Sequence, residues 1–80
     1  MERADRALEV VVGIATQGGD LEQAVRELLH VCGRNRDAVE GARANCALIV
    51  EQNPHDLTAQ RAIELLDGAL RTPLFAPALH

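Results

Sequence analysis

Residues 51–70 read EQNPHDLTAQRAIELLDGAL, and they set His55 beside Asp56 directly after Pro54. A His-Asp pair is the seed of a metal-dependent phosphohydrolase centre, in which imidazole and carboxylate ligands converge on a cation from neighbouring helices. That chemistry needs further ligands. The other histidines, His30 and His80, stand in segments that offer no HExxH, CxxC or other metal-ligand spacing. His30 closes an apolar helical run, where an imidazolium is suited to the helix C-terminus.

The remaining reactive groups are as sparse. The chain has no serine, and Thr16, Thr58 and Thr72 stand outside any nucleophile motif. Cys32 and Cys46 fall on two successive helices at different heights from the intervening turn. Their expected axial offset exceeds the Cα separation of about 7 Å that a disulfide tolerates, so both read as buried free thiols. Gly18-Gly19 lacks the Lys-Ser/Thr of a phosphate loop and reads as a helix terminator. No catalytic, cofactor-binding or metal-ligating residue is assigned, and the sequence is expected to be non-enzymatic.

Arg34, Arg36 and Arg43 form the one cationic cluster, within a segment of helix–turn–helix outline at 20–47. This gives an alternative reading, a small DNA-associated transcriptional regulator. Against it, Arg34 stands where such a turn wants an apolar residue, and Glu27, Asp37 and Glu40 dilute the field. The formal net charge of −4 also argues against a general phosphate-binding surface.

These residues must be positioned by helices. The run 20–33 sets Leu21, Ala24, Val25, Leu28, Leu29 and Cys32 on one stripe, with Asp20 as N-cap, Gln23 in capping-box register and Gly33 as terminator. In 37–52, Val39, Ala42, Cys46, Ile49 and Val50 share a face, with Asp37 and Glu40 at capping-box spacing. In 54–71, Asn53 is read as the N-cap, Pro54 as the first helical residue and Asp56 as its third. Ala59, Ala62, Ile63, Leu66, Ala69 and Leu70 then line one face, and Asp67 is set to pair with Arg71. The stretch 2–17 keeps the helical period through Ala4, Ala7, Leu8, Val11, Ile14 and Ala15, with Glu2 placed to pair with Arg6. Its β-branched run LEVVVGIAT leaves a strand open over 8–16.

The expected fold is all-α: one domain over 1–80, a small antiparallel bundle of four helices with an apolar, proline-containing tail at 72–80. Connections this short are expected to make consecutive helices antiparallel neighbours. Two fragments, GGDLEQAV and ALIVEQNPHDLTAQ, share helix-hairpin grammar with tetratricopeptide repeats. The thirty residues from Ala24 to Pro54 do not fit that repeat, and no family is assigned.

Phe75 is the only aromatic residue, so the core must come from Ala, Val, Leu and Ile. Eight arginines without a lysine, alongside thirteen alanines, are the usage of a GC-rich bacterial genome. No stretch approaches the roughly 18 apolar residues of a membrane span, and the N-terminal residues lack a signal-peptide core. A cytoplasmic protein without membrane contact is expected. A chain of 80 residues buries only about 60–65% of its unfolded surface, and association is a common remedy for a thin core. The function expected is therefore a protein–protein interaction or adaptor module that self-associates, as a dimer, or binds another protein. Val10, Val12, Leu65, Leu74 and Phe75, which the stripes leave poorly placed, are the expected contact residues. Phe75 is expected to be at least half buried.

Overall fold

The computed structural model describes residues 3–75, and four helices account for most of them: α1 (Arg3–Gln17), α2 (Leu21–Cys32), α3 (Arg36–Gln52) and α4 (Leu57–Arg71), followed by a 3-10 turn at Pro73–Phe75. The fold is all-α, and residues 8–16 are helical in spite of their β-branched run. Burial of Ala7, Val11 and Ile14 at helical spacing outweighs the few tenths of a kcal/mol by which each Val or Ile disfavours a helix.

Helix ends follow from local chemistry. Gly18, at φ 77°, ends α1 in a conformation that favours glycine, and the Gly19 and Gly18 N–H groups donate to Ile14 O (2.9 Å) and Ala15 O (3.3 Å). This is the paired bonding of a Schellman motif. Asp20 then caps α2, accepting from the Gln23 N–H at 2.9 Å. Gly33, at φ 62°, closes α2 by donating to Leu29 O.

Two caps differ from the sequence expectation. Asn35, one residue before α3, accepts from the Ala38 N–H, so the Asp37–Glu40 spacing is not the cap. The fourth helix starts at Leu57 with Asp56 as its cap (Ala59 N–H to Asp56 Oδ1, 3.0 Å), and not at Pro54 after Asn53. The reason is tertiary. The third helix runs to Gln52, so the chain needs residues in which to reverse, and Asn53–Asp56 supply a turn closed by the Asp56 N–H on Asn53 O (3.0 Å). Pro54 occupies the second turn position, where its fixed φ fits.

The order around the bundle also departs from expectation. Although only Gly33–Asn35 joins them, α2 and α3 scarcely touch; α1 packs on all three other helices, and α4 on all three as well. Contacts along α3 and α4 run in opposite senses: Arg36 meets Leu70, Arg43 meets Asp67 and Cys46 meets Ala59. Along α2 and α4 they advance together. The Gly19 carbonyl accepts from Arg61, Leu21 lies on Gly68, and Thr72 faces Val25 and Leu29 across a groove. A Cβ on Gly68 would stand 2.8 Å from Leu21 Cδ1, so this glycine gives the Leu21 side chain its seat on α4.

Among the described residues sixteen are buried in the core, seven of them alanine (Ala7, Ala24, Ala38, Ala42, Ala59, Ala62, Ala69), with Phe75, Leu28, Leu65, Leu66, Val11, Val39 and Cys46 the largest that are fully buried. Small side chains bring the helix axes close, and Phe75 fills what they leave at one end. The radius of gyration, 11.6 Å, matches the roughly 11.6 Å expected of a folded chain this long. The stripes therefore close on one another within one chain. Among the described residues no helix is long and apolar enough to cross a membrane.

Candidate interaction surface

The residues with chemical potential are drawn into the framework. Asp56 is committed to capping α4, and His55 projects from the turn into solvent. Cys46 is fully buried, and its thiol donates to Ala59 O at 3.2 Å. Burial pushes that thiol's pKa up, nearby Asp56 pushes it further, and Arg43 offsets part of the rise. Such a sulfur holds its proton at neutral pH, the opposite of an activated nucleophile. Cys32 is likewise buried and free of a disulfide. Among the described residues no three His, Cys, Asp or Glu side chains converge as a metal site. His80 lies outside the described residues.

The arginine cluster is divided among structural duties. Arg36, the first residue of α3, donates to Leu70 O (2.9 Å) at the far end of α4 and to Phe75 O (3.3 Å) in the 3-10 turn beyond it, and pairs with Glu40 at 2.8 Å. A guanidinium is suited to the unpaired carbonyls of a helix C-terminus. Arg43 pairs with Asp67 across α3 and α4 at 2.8 Å, and this bond raises the Arg43 pKa. Asp67 thus faces α3 and does not make the local pair with Arg71. Glu2, the other member of the expected Glu2–Arg6 pair, lies outside the described residues. Arg34 is exposed, and the slight contact between α2 and α3 leaves the helix–turn–helix outline without the packed pair that presents a recognition helix.

Of the expected contact residues, Leu65 and Phe75 are fully buried in this chain's own core, so neither is free for a partner. Phe75 meets the expectation of burial, and it does so against its own helices. Leu65 falls off a one-face stripe yet is buried, because α4 meets three helices and its buried arc is wider than one face. Val10 and Val12 are half-buried against the core, and Leu74 is exposed. Leu79 lies outside the described residues.

The surface carries other apolar side chains. Leu57 is 75% exposed and Leu48 54%, with Ile49, Leu21 and Leu74 between 37% and 38%. Leu48, Ile49 and Leu57 bracket the turn between α3 and α4. Leu48 falls outside the stripe of Val39, Ala42, Cys46, Ile49 and Val50, whereas Ile49 belongs to it and is exposed because it sits in the last turn of α3. Leu57 is not legible from spacing, because its place at the first turn follows from the true cap. A second apolar feature is a shallow groove of about 570 Å³ between α2 and the end of α4. Leu21, Val25 and Leu29 form its floor, with Glu22, Arg26 and Thr72 completing the lining. Such a concavity takes an apolar helix face or an aliphatic side chain, and it offers no convergent set of catalytic groups.

In comparisons with protein families, curated proteins and solved structures, nothing matches this chain.

Proposed function

We propose that this protein is a non-catalytic interaction or adaptor module of the bacterial cytoplasm that self-associates, either alone or as the interaction domain of a larger protein. The observation that carries the reading is the pairing of a closed core with apolar surface. The chain closes a core of its own, yet Leu57 and Leu48 stand more than half exposed, and Ile49, Leu21 and Leu74 are 37–38% exposed. Covering a leucine fully is worth about 1.5–3 kcal/mol, so a few of these side chains supply a sizeable part of a weak association. Exposed apolar groups gathered at a hairpin tip and in a groove mark contact surfaces more than scattered ones do.

Sedimentation equilibrium from about 10 μM to 1 mM tests this, the range in which an interface at the low end of the usual size operates. A mass that rises from monomer toward dimer supports the reading. A monomer throughout removes self-association.

A further inference from the structure

We infer that α2 is the seat of a two-fold, antiparallel helix pairing between two copies of this chain, with Val25 near the axis and Glu22 of each copy set against Arg26 of the other. The inference rests on the self-association reading and names the surface and its geometry.

Three observations converge. Leu21, Val25 and Leu29 recur at four-residue spacing along α2; Leu21 is 38% exposed, and Val25 and Leu29, packed against the core on one side, stay partly accessible along the groove. A stripe of this kind is what one helix offers to another. The stripe is symmetric about Val25, so an antiparallel copy brings Leu29 over Leu21 and Val25 over Val25.

The second observation is charge. Glu22 and Arg26 line the same groove and are both exposed. They stand at i,i+4 on one flank, yet no ion pair joins them or ties either to another described residue. A two-fold axis across α2 keeps this flank on the same side in both copies and reverses its direction. Glu22 then faces Arg26 of the second copy, and the contact occurs twice. The rim is self-complementary for an antiparallel copy. In a parallel two-fold pair this flank would lie on opposite sides of the interface, and the contact would not form.

The third is size. Twelve residues of helix span about 18 Å, and one helix pair of that length falls below the roughly 1,200 Å² of a standard stable interface. The pairing is accordingly weak and reversible, which suits a module whose own core is already closed.

The experiment is sedimentation equilibrium on the full chain and its charge variants. Glu22→Arg sets cation against cation at both contacts, and Arg26→Glu sets anion against anion. Each variant alone should dimerise about 10-fold more weakly than the parent, since two rim contacts turn from attraction to repulsion. Two restorations are specific to this geometry. The double reversal Glu22→Arg/Arg26→Glu should dimerise like the parent, and an equimolar mixture of the two single variants should form a mixed dimer tighter than either variant's own. Val25→Glu should abolish dimerisation while keeping the helical circular dichroism spectrum. Ala44→Glu, on the exposed face of α3, should leave the dimer intact.

A dimer indifferent to residues 22 and 26, or one lost with Ala44→Glu, overturns the inference while self-association stands. Single variants that weaken without rescue in the mixture also overturn it. A parent chain that is monomeric at 1 mM overturns both readings.

Discussion

Phe75→Ala probes how the bundle is closed. The side chain is fully buried at the end of a core in which seven of the sixteen buried residues among those described are alanine. Small neighbours fixed on helical backbones cannot reach into the space a phenyl ring vacates, so the cavity term should be retained. Truncating a buried Phe to Ala costs about 3–5 kcal/mol, transfer and cavity together. A chain of this length has a total stability of about 4–12 kcal/mol. In small domains each kcal/mol moves the melting temperature by about 4–8 °C, which puts the expected fall at about 12 °C or more. Thermal melting followed at 222 nm, at a concentration where mass is constant, reads this directly. Phe75→Leu keeps most of the volume and should lose less than half as much. A fall below about 3 °C for Phe75→Ala would refute the reasoning, because no fully buried phenyl in an unyielding site is so cheap to remove.

The cap of α4 can be tested by contrast: Asp56→Ala should cost about 1 kcal/mol, and Asn53→Ala, whose side chain caps no helix, a few tenths, in denaturant titrations. Equal costs would return the helix start to Pro54. Cys46 predicts a pH dependence. Its folded pKa is raised, so the native state keeps a proton that the unfolded state releases, and the stability this contributes is present below the ordinary value of 9.0 and lost as pH climbs through the folded value. The chain has neither Lys nor Tyr, which leaves the alkaline window open to this measurement. The stability advantage of the parent chain over Cys46→Ala should shrink above pH 9, as read from denaturant midpoints; parallel curves would contradict it.

The elements most legible in the sequence were those governed by local chemistry. Asp20, the α2 stripe and Gly33 lie within one segment and bond within it, so spacing alone located that helix. The start of α4 was misplaced because Asn53 and Asp56 are both competent caps, and the choice between them depends on the room α3 needs to reverse. Arg36 shows the same limit. Nothing in its neighbourhood indicates that it reaches carbonyls 34 and 39 residues away, since that contact exists only once α3 and α4 are antiparallel. The contact residues fared unevenly for a related reason. Leu65 falls off a one-face stripe, and only the meeting of α4 with three helices explains its burial. The groove is half legible: Leu21, Val25 and Leu29 share the α2 stripe, but how far each is covered depends on which helices touch α2, and spacing does not show that.

The alanine-rich interior carries a thermodynamic consequence. Alanine gives up no rotameric freedom on burial, so ordering these seven residues costs backbone entropy alone. Each also withdraws less apolar area from water than a leucine would. The heat-capacity increment of unfolding scales with that area, at about +0.45 cal/mol/K for each Å² of apolar surface exposed. The increment should therefore fall below the usual 12–15 cal/mol/K per residue, and the stability curve should be broad and shallow. Cooling would then weaken this fold less than it weakens one built on large aliphatic side chains.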